Sequence, residues 1–324
     1  MSMEKIPADN AAVTPDVVAR DASTDVEIAR LEGFGSDGHQ PHFTSLRELT
    51  IRRFLRHRLA VVSSFVFMLI LISAIFANVV APYDPNKIDP SAFDAKPSAK
   101  HLLGTDQVGR DNLSRVIYGG RVSLSVGVVA VAIYMIIGVV LGSLAGYYGG
   151  TVDMIISRFI DIVLSFPNLL MILVLVSILG PGLRNIMIVL GLLGWPQIAR
   201  IVRAEFMHLR LQEFVTAARV VGVPTPRIII RHIIPNAMGP ILVGATFGVA
   251  AAILSESGLS FLGLGVQPPT SSWGQMLNAS QSLSILDSKP WLWIPPGVMI
   301  LISVLCINFI GDGLRDALDP RLRR

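Results

Sequence analysis

The stretch EFVTAARVVGVPTPRIIIRHIIPN, residues 213–236, breaks a chain that otherwise alternates long apolar runs with short polar gaps. Phe214, Ala217, Ala218 and Val221 recur at helical spacing, with Gln212, Glu213, Thr216 and Arg219 on the other sides, so the spacing predicts an amphipathic helix. Gly222 follows where a left-handed cap is wanted, since glycine takes positive φ without steric cost. Thr225 then offers an N-cap hydroxyl and Pro226 suits a first helical turn, predicting a second short helix through Ile228 to Ile234 that stops before Pro235. Such a helix–turn–helix either rests on lipid headgroups or is presented to a groove on a protein partner. Small residues at Ala217, Ala218 and Gly222 favour the partner, because a lipid-resting helix gains from bulky apolar side chains.

What surrounds this segment is membrane protein. Of 324 residues, 52% are hydrophobic and 15% charged, against a charged share of ~25% in ordinary soluble domains. Mean hydropathy is +0.60. The net charge of +4 comes mostly from arginine, without the aromatic-interleaved basic runs of a nucleic-acid surface. A single cysteine, Cys306, excludes an internal disulfide and a cysteine metal cluster. The extreme N-terminus is polar, so no cleavable signal peptide is expected and the first span inserts itself.

Apolar runs predict crossings at Leu59–Val80, Val122–Ala145, Ile160–Leu179, Ile186–Val202, Met238–Leu254 and Trp291–Ile310, each near the ~20 residues that cross a bilayer. Pro196 and Arg200 interrupt the fourth run, which is kept for parity. With six crossings the arginines before Leu59, those between Arg200 and Arg231 and the tail RDALDPRLRR all fall on the cytoplasmic side. The loop from Ala81 to Arg121 runs against that bias with Lys87, Lys96, Lys100, Arg110, Arg115 and Arg121. The expected fold is therefore an all-α, polytopic membrane protein of six transmembrane helices, with the interrupting segment, residues 211–235, between the fourth and fifth. Its parts are a disordered cytoplasmic tail over 1–45, a first helix and extracytoplasmic loop over 46–121, a five-helix domain over 122–313 and a cytoplasmic tail over 314–324. Gly127, Gly138 and Gly142 in the second run read as close-packing positions in a bundle.

No P-loop occurs, because none of Lys5, Lys87, Lys96, Lys100 and Lys289 follows a glycine, and neither H-E-x-x-H nor G-x-S-x-G is present. No catalytic residue, cofactor or metal is expected on this chain. Ionisable groups inside spans are costly and point to function or structure. Arg158 and Asp161, three residues apart, can pair on one helix face, and a structural ion pair competes with a proton relay. Glu256 can line a pathway or mark an interfacial helix end.

TAARVVG followed by RHIIPN resembles the EAA motif of ATP-binding-cassette importer permeases. Ala217, Ala218, Gly222 and Pro235 fall in register, Ile234 stands at the Leu and His232 at the Ile; Thr216 replaces the leading Glu, with Glu213 one turn earlier. GTDQVGRDNLSRVIYGGRVSLSVG, GYYGG, RFIDIVLSFPNLL, LSFLGLGVQPPTSSWGQML and NFIGDGLRDALDPRLR together are similar to the C-type permease subunit of dipeptide, oligopeptide, nickel and glutathione importers, from about Leu46 to the C-terminus. The resemblance implies that Glu213, Thr216, Ala217, Ala218, Gly222 and Pro235 belong to a coupling helix seated in an ATPase subunit. It implies a homologous second permease, two ATPase subunits that bind ATP and Mg, an extracytoplasmic solute-binding protein, and a place in the bacterial inner membrane. An ion-gradient-driven secondary transporter is the alternative from another class, and a membrane-anchored scaffold a third.

Overall fold

The computed structural model describes residues 46–318; the expected tail over 1–45 and the last residues, 319–324, lie outside the described residues. Among the described residues the regular structure is helical apart from two isolated antiparallel bridges, Ile88 with Arg110 and Thr105 with Asp111. Helix α1 (Leu46–Arg56) leads into α2 (Arg58–Ile75), which His57 caps by accepting the amide of Ala60 on Nδ1 at 3.1 Å. A single turn, α3 (Ala77–Val80), precedes the loop over 81–111.

The 37-residue α4 (Asn112–Tyr148) starts where the Asp111 carboxylate accepts the amide of Ser114 at 2.8 Å. At 1.5 Å per residue it is about 55 Å long, well beyond the ~30 Å apolar slab. Next come α5 (Gly150–Leu164), α6 (Asn168–Leu179), α7 (Leu183–Leu193) and α8 (Trp195–Leu209), the last two forming one 27-residue stretch. Helix α9 (Glu213–Val220) is followed by α10 (Thr225–Ile228), a π-turn over Ile229–Ile233 and α11 (Ile234–Phe261). The chain closes with α12 (Trp273–Asn278), α13 (Leu283–Ser288) and α14 (Pro290–Leu318).

Five helical stretches are long and apolar enough to cross a membrane: Arg58–Ile75, Asn112–Tyr148, Leu183–Leu209, Thr225–Phe261 and Pro290–Leu318. The third apolar run departs from expectation. Instead of one helix over Ile160–Leu179, α5 and α6 meet at 80°. Pro167 lacks an amide to donate and disfavours helical geometry at Phe166, so the helix breaks there. The fifth run begins not at Met238 but at Thr225. The expected boundary at 121/122 falls inside α4, because the cap that starts that helix is Asp111, and the one at 313/314 falls inside α14.

Backbone packing is close along one face of α4. Gly138, Gly142 and Gly146 lie four residues apart, and a Cβ on each would come within 2.8, 2.6 and 2.5 Å of Ile198, the Ala199 carbonyl and Phe206 of α8. Small residues let the two backbones meet. α4 and α8 run parallel, since Gly191 of α7 meets Ile133 while Phe206 meets Gly146. One end of the bundle carries the loop over 81–111 and the hairpin over 262–281, whose Trp273 sits on Gly119 and Gly120 of α4. The opposite end gathers the start of α2, the end of α14 and the segment over 210–224: Ala60 meets Gly313, Leu318 meets Gly239, and Arg210 donates to the Tyr147 carbonyl at 3.2 Å.

Overpacking a close helix crossing costs about 1–3 kcal/mol or more, so Gly142→Leu is expected to lower the melting temperature of the detergent-solubilised chain and its yield. Gly258→Ala, where a Cβ meets nothing within 4 Å, is expected to leave both unchanged. Equal melting of the two variants would remove the seam from the list of stabilising contacts.

Candidate functional site

The interrupting segment folds as a helix and a turn, but not as two separate helices. Gly222, at φ +81°, ends α9: its amide bonds the Arg219 carbonyl at 2.9 Å and that of Val223 reaches back to Ala218 at 3.0 Å. These are the two bonds of a Schellman cap. Thr225 is the first residue of α10 and makes no cap hydrogen bond; Pro224 stands at the cap. Nor does Pro235 end anything. The π-turn shifts the ladder so that Ile234 donates to Ile229, and Pro235 then falls in the first turn of α11, where a missing amide is tolerated. The turn therefore feeds one helical rod from Thr225 to Phe261.

The facing of α9 also differs from the expected stripe. Val215 is fully buried and Ala218 packs beside it, while Phe214, Ala217 and Val221 face outward. Val220 and Val221, at the end of α9, are 82% and 81% exposed, and Leu211, just before its start, is 77% exposed. Glu213, Thr216 and Gly222 are exposed as well. α9 is fastened to the end of α4 by the Arg219 guanidinium, 5.2 Å from the Tyr147 ring centroid. The result is a short helix held from beneath, presenting small and apolar side chains outward around a glycine turn.

Arg158 and Asp161 do not pair. Asp161 accepts from Arg200 of α8 at 2.7 Å, and Asp153 accepts both Nε and Nη2 of Arg203, the latter at 2.7 Å. Among the described residues Arg158 makes no ion pair. The acids on α5 are thus answered by arginines on α8 some 40 to 50 positions on. Spacing along one helix cannot reveal such pairs. Asp161–Arg200 is half exposed and worth ~0–1 kcal/mol; Asp153–Arg203 is bidentate and more buried.

Glu256 is neither an interfacial end nor a wall of the main cavity. It is completely buried, and its carboxylate accepts from Ser260 at 2.7 Å, Ser123 at 2.9 Å and Ser257 at 3.4 Å. Its neighbour Ser255 does line the cavity, a cleft of about 1840 Å³ between α8 and α11. Gln197, Ile201, Glu205 and His208 give α8 a partly polar edge along that cleft, opposite Phe247 and Ser255 of α11. Sequence reasoning missed this edge, whose only signal is polar residues recurring at helical spacing in the fourth run.

At the other end, the loop over 81–111 is folded, not merely connecting. Lys100 and Ser91 hydrogen-bond Asp89, at 2.6 Å for each side chain, and hold its carboxyl well below the usual carboxylate range; Asp89 in turn raises Lys100. Lys289 pairs with Asp94 at 2.6 Å, and buried Arg115 donates to Gln275 at 3.0 Å. Among the described residues no group of three or more His, Cys, Asp or Glu converges as a metal site.

A double-mutant cycle on Arg203→Gln and Asp153→Asn is expected to give a coupling energy of about 0.5–3 kcal/mol in thermal or denaturant unfolding. Arg158→Gln is expected to stay within ~0.5 kcal/mol of the parent. Coupling between Arg158 and Asp161 in the same assay would restore the pair expected from spacing.

Residues 138–324 match the model for the binding-protein-dependent transport system inner membrane component, and residues 45–97 that for the N-terminal TM domain of oligopeptide transport permease C. The dipeptide transport system permease protein DppC of Alkalihalophilus pseudofirmus is 44% identical over 83% of this chain and 88% of its own. A putative peptide permease protein of Brucella suis is 42% identical over 91% of this chain and 97% of its own. The oligopeptide transport system permease protein OppC of Bacillus subtilis is 42% identical over 86% and 91%. Among solved structures, an inward-facing MetNI methionine ABC transporter chain superposes with a TM-score of 0.54 at 18% identity, covering 64% of this chain and 97% of that one. That likeness speaks to the fold alone.

Proposed function

The chain belongs to the family of binding-protein-dependent transport inner membrane components, and from that premise we propose that it forms half of an import path for short peptides, driven by ATP hydrolysis on separate subunits. The peptide substrate rests on the relatives, which are named as peptide, dipeptide and oligopeptide permeases. Family membership leaves the ion-gradient-driven alternative without support. The assembly that fits comprises this chain, a homologous second permease, two ATPase subunits carrying ATP and Mg, and an extracytoplasmic solute-binding protein, in a bacterial inner membrane.

The observation that carries the reading is the outward face of α9. Glu213, Thr216, Ala217 and the Gly222 turn, with Val220 and Val221, form a small, partly apolar surface rooted on α4 and continuous through Pro235 with the rod ending at Phe261. A nucleotide-driven movement of a partner seated there would be delivered along that rod. Ala218, which faces the bundle, acts from beneath by supporting the turn.

Six crossings are supported by the course of the chain. It leaves α4 beside Arg210 and comes back along α7 and α8 to the same end, parallel to α4. Leu183 therefore starts at the far end, and the bent pair α5 and α6 must carry the chain there. The segment over 210–224 and both described chain ends then share the arginine-rich, cytoplasmic side.

In a Cys306→Ala background, Leu283→Cys is expected to react with an impermeant maleimide in intact cells and Val220→Cys only after permeabilisation; the reverse overturns the topology. In the assembly reconstituted in liposomes, ATP-dependent uptake of labelled di- to pentapeptides is expected. Ala217→Trp and Gly222→Leu are expected to insert normally, since a Cβ at positive φ costs roughly 1–2 kcal/mol, yet to lose ATPase retention and uptake. Wild-type retention and uptake in both variants would reduce α9 to an interfacial helix.

A further inference from the structure

Glu256 is buried without a cation, and the groups that satisfy it come from two helices. Ser123 belongs to α4, Ser257 and Ser260 to α11. Two of these hydroxyls are also engaged from the other side. Ser123 Oγ accepts the amide of Trp273 at 3.3 Å, and Ser260 Oγ accepts the amide of Val266 at 3.1 Å. A hydroxyl has one proton, and with an amide already pointing at each oxygen, that proton is directed at the carboxylate. Glu256 thus ends two relays, Trp273–Ser123–Glu256 and Val266–Ser260–Glu256, one from each arm of the hairpin over 262–281.

The hairpin is seated as well as tethered. The Trp273 indole is fully buried and donates to the Val116 carbonyl at 2.9 Å, in a slot that Gly119 and Gly120 leave open; Ser271 donates to the Arg115 carbonyl at 3.2 Å. Ser255, one residue before Glu256, lines the cavity between α8 and α11. The relays therefore stand at the head of that cavity, at the end of the rod that begins beside the α9 turn.

We propose that Glu256 is a positioning residue for transport: its carboxylate joins the outer ends of α4 and α11 and the hairpin into one rigid block, so that movement of the rod shifts the whole block. A carboxylate offers two acceptor oxygens, one for each relay. A glutamine of the same size offers one, and its NH2 leaves the other hydroxyl's proton without an acceptor. A leucine removes both. The proposal rests on the transport reading, and its test has one arm that does not.

Met276, on α12 within the hairpin, is buried. In a Cys306→Ala background, Met276→Cys is expected to be nearly unreactive toward an impermeant maleimide applied to the assembled transporter. Adding Glu256→Gln or Ser123→Ala should raise the labelling rate about tenfold, as loss of one buried hydrogen bond to a charged group implies. Ser123→Thr, which keeps the hydroxyl, should not. In proteoliposomes the first two variants should import several-fold less solute per ATP hydrolysed, whereas a purely structural defect would lower uptake and hydrolysis together. Ser123→Ala keeps the test open if Glu256→Gln fails to insert. Unchanged labelling in both variants overturns the joint, and raised labelling with an unchanged ratio of solute to ATP overturns its role in transport. Absence of ATP-dependent uptake by the parent assembly would instead overturn the transport reading, while the labelling arm still reports on the joint.

Discussion

The crossing of α4 and α8 is the contact on which the rest of the bundle depends. Gly138, Gly142 and Gly146 present backbone where other residues would present side chains, and α8 lies against them closely enough that any Cβ would collide with Ile198, Ala199 or Phe206. In a membrane, where lipid tails are as apolar as leucine, such close packing supplies much of the attraction between helices. Fixing α8 in this way also fixes what its other faces meet. Arg200 and Arg203 turn to the acids of α5, while Gln197, Glu205 and His208 line the cleft toward α11. At its end, Arg210 bonds the last turn of α4, and α9 follows directly.

The opposite half of α4 uses the same device differently. There Gly119 and Gly120 admit an indole from the hairpin instead of a neighbouring helix. A tryptophan buried this way needs a partner for its N–H, and the Val116 carbonyl provides one. Polar groups then accumulate where a wholly apolar contact would suffice: Arg115 with Gln275, Ser271 with a backbone carbonyl, and the serines around Glu256. Each would be costly if left unpaired away from water. Together they tolerate only one seating of the hairpin, whereas the apolar seam with α8 sets distance more than register.

Features that depend on local sequence were legible from it. Apolar runs marked the helical stretches, and Gly222 marked the end of α9 because positive φ is a property of one residue. What depended on the meeting of distant segments was not. Arg158 and Asp161 looked like partners at their spacing, yet Asp161 is drawn to Arg200 across a helix pair whose approach the glycines decide. The outward direction of Phe214 and Val221 was likewise hidden, because an amphipathic pattern identifies an apolar stripe but not which side has a neighbour. Pro235 misled for a third reason. A proline ends a helix when it would lose an internal bond, and the π-turn before it removes that condition.

That last departure changes how the molecule can work. Two short helices ending at Pro235 would have formed a clip hinged to the bundle, and a partner's movement would have been absorbed in the hinge. One rod over Thr225–Phe261, 37 residues and roughly 55 Å long, is continuous helix between the turn and Glu256. Its irregular places are Pro240, which removes one internal hydrogen bond without ending the helix, and the π-turn, where Ile228 and Ile233 are buried against the core and resist independent motion. Displacement at Gly222 is therefore less easily dissipated there. On the coupling reading proposed above it would reach the far end, where the carboxylate and its serines meet α4, the same helix whose glycines hold α8 and whose last turn holds α9. The two ends are joined by two separate lengths of helix, α4 and the rod, and on that reading a shift of one relative to the other is the motion the architecture would convey.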